Sequence, residues 1–188
     1  SSFVNQIVDE TVPPETVASD PFEELSVETS PLPTGADLYQ PERPNSNGFD
    51  LTHAPTLATI DAARTPFLSH QWAAAPLLAG TPAPDPLQPV INPANGTQTG
   101  TVAPASAADI ETALSAATPW TASAAERAAI LNAAADLYEA NFGEIFALLT
   151  REAGKSLLDG VAELREAVDF LRYYAANIPD AAPSGTFT

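Results

Sequence analysis

Proline is the residue that most restricts this chain, because fifteen of its nineteen prolines fall in residues 1–100. Each one removes a backbone donor and pushes the residue before it out of the helical region, so that half supports neither long helices nor central strands. It reads as an extended connector with short ordered pieces. Turn formers dominate residues 13–48, at Pro13-Pro14, Asp20-Pro21, Pro31-Leu32-Pro33 and Arg43-Pro44-Asn45-Ser46-Asn47-Gly48. Such a stretch is unusual inside a compact domain and ordinary between two folded units. Residues 101–188 hold only four prolines and are dense in Ala and Leu, so helices are expected there.

The first half offers three short elements. FVNQIV at residues 3–8 is a short strand or a helix end. Thr52 and the Ala-rich residues after it predict a helix to Arg64, with Thr52 as N-cap, Pro55 in the first turn, Leu57 and Ile60 on one face and Pro66 as the stop. A further element is expected around Trp72, within residues 71–78.

A β-hairpin follows over about 89–103, where Asn92 is extended before Pro93 and Asn95-Gly96 offers the positive φ angles of a tight turn. Helices are expected over about 106–118, 123–153 and 156–178. Ser106 with Asp109, and Ser123 with Glu126, are helix-start pairs in which side chains satisfy the free N–H groups of the first turn. Ile110, Ala113, Leu114 and Ala117 share one face of the first helix. Ile130, Leu131, Ala134, Leu137, Tyr138, Phe142, Ile145, Phe146 and Leu149 keep a helical period through the second, which Gly154 ends by turning left-handed. The third carries Leu157, Val161, Leu164, Val168, Leu171 and Tyr174 on one stripe, closed by Asn177 and Pro179. Trp72, Trp120, Tyr173 and Tyr174 are expected to be packing anchors.

Charge excludes some partners. There are 24 acidic and 7 basic residues, a net charge of −17, spread without a continuous acidic block. That field repels nucleic acid and anionic membranes, so neither is an expected partner, and the acidic groups read as a solvated surface. No apolar stretch approaches the ~20 residues of a membrane span and no leader pattern is present, so the expected location is cytoplasmic. The absence of cysteine excludes a disulfide framework and a thiolate metal site. A start at Ser1 in a chain without methionine suggests that the N-terminus is not a translation start.

Few residues suggest chemistry directly. Gly154-Lys155-Ser156 is not a phosphate loop, because position 149 is Leu where the motif needs Gly and the segment follows a helix. Glu163 and Glu166 lie three apart on the last helix, within reach of a shared proton or metal, yet no histidine is near and Arg165 and Arg172 are available as surface partners. His53 and His70, the two histidines, have no metal-ligand spacing and read as surface or connector residues.

Residues 151–177, REAGKSLLDGVAELREAVDFLRYYAAN, resemble an aldehyde dehydrogenase, and the pattern continues back through residues 89–120 and 123–156. The EAVDFLRYYA segment, SSFVNQIVDE at the start and DLYQPERPNSNGFDL at residues 37–51 are similar to the bifunctional proline dehydrogenase/glutamate-semialdehyde dehydrogenases. The resemblance implies an α/β parent of aldehyde dehydrogenase fold with a Rossmann-like NAD domain. Residues 1–86 would be the linker after a proline dehydrogenase barrel, and 87–188 the N-terminal portion of the dehydrogenase domain, mainly α with an N-terminal hairpin. NAD and FAD are the implied cofactors, a small molecule the substrate, and the rest of an oligomeric parent polypeptide the partner.

The family oxidises through a cysteine thiolate, a soft nucleophile that adds to the aldehyde and later leaves. This chain has none and ends before the family's first Rossmann strand, so by itself it is expected to be inactive, with nucleophile, general base and NAD-binding strands downstream. One position carries over: Glu166, which begins the Glu-x-x-Asp-Phe run, is implied to be a substrate-environment residue. Two alternatives stay open. One is part of a generic NAD(P)-dependent aldehyde dehydrogenase; the other is a non-enzymatic acidic helical module that docks through its Leu/Val/Tyr stripe.

Overall fold

The computed structural model describes residues 8–18, 20, 32–78 and 86–178. Contacts divide the chain into two units, Ser1–Pro33 and Thr34–Thr188. In the first, Asp9 accepts from the Thr11 amide and hydroxyl, and Pro13 precedes the single-turn helix α1 (Pro14–Val17). The element expected at residues 3–8 lies, but for Val8, outside the described residues.

The second unit begins at Thr34, so part of the proline-rich half, read as an extended connector with short ordered pieces, shares one compact unit with the helices that follow. Proline forbids long regular elements, not packing. Phe49 and Leu51 pack against the same core as Ile60, and Asn45 and Ser46 are buried. Helix α2 (Ala54–Arg64) carries Ile60, which is 0% exposed. Its N-cap position is His53 and not Thr52, whose hydroxyl and amide both go to Asp50 Oδ1. Pro66 does not stop the chain turning either, because its fixed φ suits the start of a 3-10 turn at Thr65–Phe67.

Three strands form a small sheet in the order β1-β3-β2, from β1 (Trp72–Ala74), β2 (Gln88–Ile91) and β3 (Gln98–Val102). β2 and β3 are antiparallel, with Val90 opposite Gly100. β1 runs parallel to β3, with Trp72 opposite Gly100, where any Cβ would collide with the Trp72 carbonyl. The hairpin turn is wider than the sequence suggested. Asn95 keeps a negative φ and only Gly96 is left-handed (φ 73°). Asn92 bonds Thr97 and Gly96 in turn, while Asn95 Oδ1 accepts from the Thr97 amide and hydroxyl, so Pro93 sits in a longer loop closed by an Asn side chain.

Helices α3 (Ala107–Ala116), α4 (Ala124–Ala140), α5 (Phe142–Glu152) and α6 (Leu157–Ala176) complete the unit. The expected capping boxes at Ser106–Asp109 and Ser123–Glu126 are present, and a third at Ser156–Asp159 starts α6. The single helix expected over 123–153 is two. Asn141 leaves the helical region (φ −104°, ψ 23°) and its side-chain amide donates to the Leu137 carbonyl. Beyond the break Gly143 lets α2 cross α5 closely, since a Cβ there would lie 2.5 Å from the Ala63 carbonyl oxygen. Gly154 (φ 67°) ends α5 as expected.

The core is built from Ile60, Ala135, Phe146, Val161, Leu164 and Val168. Phe49, Phe142 and Phe146 meet at its edge with ring centroids 5.1–5.8 Å apart, near the favourable range for tilted aromatic pairs. The α6 stripe holds from Leu157 to Leu171, but Tyr174 is exposed, as are Tyr173 and Trp120; these three are not anchors within this unit. Only Trp72 is one. Its indole N–H donates to Glu144 and the Arg151 guanidinium lies over its ring, while Arg151 also donates to the Phe67 and His70 carbonyls. On α4 the buried residue is Ala135, and Ile130, Leu137 and Tyr138 face outward. Polar partners at Asp136 and Glu139 set that rotation, because both bond to α6. Among the described residues no helix is long and apolar enough to cross a membrane.

Candidate functional site

The polar chemistry of the second unit concentrates where residues 43–47 lie over α4 and α6. Arg172, expected at the surface, is buried at 6% exposure and bonds three ways: Nη1 to the Asn45 carbonyl (3.1 Å), Nη2 to Asp136 (3.0 Å), and both to Glu139 (3.1 and 2.9 Å). A guanidinium presents a planar fork of donors, so two carboxylates and a carbonyl can answer it at once. Burial disfavours its charge, yet the hydrogen bonds it donates to Glu139 and Asp136 raise its pKa above the ordinary value. Glu139 also accepts from the Asn47 amide (2.8 Å).

One turn away Asp169 accepts from Arg43 Nη1 (2.8 Å), the Ser46 amide (3.0 Å) and the Ser46 hydroxyl (2.7 Å). Burial would raise its pKa; the bonds from Ser46 and Arg43 outweigh that and hold it below the usual carboxylate value. Arg165 Nε reaches the same Ser46 hydroxyl (3.2 Å), and Asn45 is tied to Gly35 and Ala36. Residues 43–47 are therefore a strap fastened by its backbone groups as much as by its side chains.

Arg43, Glu166, Asp169, Phe170 and Tyr173 line an open cleft of about 380 Å³. Glu166 stands exposed on its wall, with no hydrogen bond or ion pair among the described residues. Glu163, its neighbour on the helix, is instead paired with Lys155 across the α5–α6 joint. The structure thus separates the two glutamates into different surroundings, and neither meets Arg165 or Arg172. His53 Nδ1 lies 2.9 Å from the Thr56 hydroxyl, and His70 packs edge-on against Phe67 and Trp72. Among the described residues no cluster of three or more His, Asp or Glu could hold a metal.

Sequence reasoning passed over Arg43, Ser46, Asp169, Asp136 and Glu139. A signal was present: Arg43 is one of only two cations in residues 1–100, and a lone cation among turn formers in so acidic a chain is a candidate for pairing as well as for a loop. The dinucleotide test is negative for these residues. A phosphate cradle needs a glycine-rich turn from a parallel strand into a helix, whereas Gly154-Lys155-Ser156 joins two helices and, among the described residues, no strand leads into a helix through such a turn. No step of a nicotinamide reaction is assigned to this chain's own side chains.

The sequence profile of the aldehyde dehydrogenase family matches residues 81–186, more than half of the chain, and the chain belongs to that family. Within it the similarity points to proline-utilising enzymes. The bifunctional protein PutA of Klebsiella aerogenes is 38% identical over 196 residues, covering 96% of this chain and 15% of that protein. A crystal structure of bifunctional proline utilization A shares 30% identity with a TM-score of 0.59 over 94% of this chain and 16% of its own. The 1-pyrroline-5-carboxylate dehydrogenase of Thermus thermophilus is 25% identical with a TM-score of 0.61, covering 76% of this chain and 30% of that one. The chain spans about 15% of the length of the curated bifunctional relative.

Proposed function

We propose that this chain works as part of a longer polypeptide that converts proline to glutamate, and that it supplies the N-terminal portion of the NAD-dependent semialdehyde dehydrogenase with the connector before it. FAD would take the electrons of the first oxidation and NAD those of the second, both held by residues outside this chain. The reading is carried by the reach of the similarity. It continues through most of the first eighty residues, which the family match leaves out and a generic aldehyde dehydrogenase would have no reason to share.

The division of labour follows from chemistry. Aldehyde oxidation through a thioester needs a thiolate, and a chain without cysteine must receive it from elsewhere in the polypeptide. What these residues contribute is a packed helical support, and Glu166 as a group beside the substrate on the wall of the cleft. The assembled enzyme is proposed to act in the cytoplasm.

An antibody to this chain, applied to an extract of its source cells, tests the reading. A species several times heavier than 19.6 kDa that oxidises both proline and glutamate semialdehyde is expected. A species near 19.6 kDa would overturn it, as would NAD-dependent aldehyde oxidation by the purified 188-residue chain.

A further inference from the structure

An exposed glutamate at a substrate site must be held in its orientation by something else, and Glu166 makes no bond of its own among the described residues. Asp169, three residues on along the same helical face and on the wall of the same cleft, is a fixed point beside it. We propose that Arg43 is a positioning residue for Glu166, its contact with Asp169 fixing the turn of α6 that presents Glu166 and supplying the cation of the cleft they share. The inference rests on the semialdehyde-oxidising function proposed above.

Three observations carry it. Arg43 is itself immobilised: its side chain is only 12% exposed, its guanidinium lies 4.1 Å over the Tyr39 ring, and Nη1 meets Asp169 at 2.8 Å. Asp169 cannot swing away, because the amide and hydroxyl of Ser46 hold both of its oxygens. Arg43 is also the only cation among the residues that line the cleft, beside the two carboxylates of Glu166 and Asp169. With the guanidinium removed, two like charges one turn apart would face the same cleft uncompensated, and repulsion would turn the freer one, Glu166, toward solvent. Lysine would keep the charge but not the directed fork, so it should restore only part of the effect.

The test uses the complete polypeptide, with steady-state oxidation of glutamate semialdehyde measured beside oxidation of proline as an internal control. Arg43→Met is expected to raise the KM for semialdehyde on the order of tenfold, a fraction of the ~100-fold that a 1 Å misplacement can cost. Its kcat should stay within about twofold and proline oxidation should be unchanged, with Arg43→Lys between variant and parent. If Glu166→Gln raises KM and Arg43→Met does not, the inference is overturned while the reading of Glu166 stands. If Glu166→Gln leaves KM unchanged, that reading fails and the inference with it. A parallel loss of both activities and of thermal midpoint in Arg43→Met and Arg43→Lys would also overturn it, since that is the signature of a merely structural residue. Absence of semialdehyde oxidation in the unaltered polypeptide would overturn the proposed function itself.

Discussion

Two regions of the second unit treat their side chains in opposite ways. Under the strap at residues 43–47 charged groups are drawn inward, and each is answered: Arg172 by two carboxylates and a carbonyl, Asp169 by three donors. From β2 through α3 to Trp120 apolar groups are left outward, with Ile110 53%, Leu114 68% and Trp120 64% exposed. The first region has the character of an interior, where a polar group is tolerated only when its bonds are complete. The second has the character of an open surface, where large apolar side chains stand in solvent. The cap of α3 is complete even so, because Ser106 and Asp109 satisfy each other locally whatever lies above the helix. Local chemistry closes a helix end whether or not its face is covered.

The largest effect that separates the two regions is expected at Arg172. Arg172→Ala takes the cation from Glu139, whose side chain is 16% exposed, while Asp136 at 73% stays solvated, so the loss is expected near the lower end of the about 3–5 kcal/mol that breaking a buried pair costs. Urea unfolding of the chain should show that loss; a change below about 1 kcal/mol would place the strap among ordinary surface contacts.

A smaller effect is expected in acid. Asp169 has its folded pKa lowered, so it contributes stability that is complete above the unfolded value of about 3.9 and is lost as pH falls through the folded one. Stability followed from neutral pH downward should therefore stay level until that range and then fall, and Asp169→Asn should remove part of the fall. A loss that begins near pH 6 would point to another group.

The smallest effect belongs to the open region. Leu114→Ser on the exposed face of α3 should change stability by no more than about 0.5 kcal/mol in this chain. A loss of 2 kcal/mol or more by urea unfolding would mean that the face is already covered, and the contrast between the regions would dissolve.

Much of the helical half is legible in the order of its residues. Serine-to-acid spacing marks the starts of α3 and α4, Gly154 the end of α5, and the Leu157 to Leu171 stripe the buried side of α6. All of these are properties of residues close together in the chain. The misreadings share one cause, which is that the deciding atom lies far along it. The break at Asn141 goes with a helix ending almost eighty residues earlier, for Ala63 is what Gly143 must accommodate. Arg172 resembles a surface cation in sequence because Asn45, Asp136 and Glu139 are 33 to 127 residues away.

The sequence by itself determined the family, the hairpin, the helix starts at Ser106 and Ser123 and the absence of a thiol nucleophile, because each depends on residue type and near spacing. Tertiary structure alone decided that residues 34–67 join the core, that Arg172 is buried and that Glu163 and Glu166 part company. A charged side chain carries no mark of whether it will be solvated or enclosed. That depends on whether the fold brings enough partners to replace its water, and partners distant in sequence are set by packing.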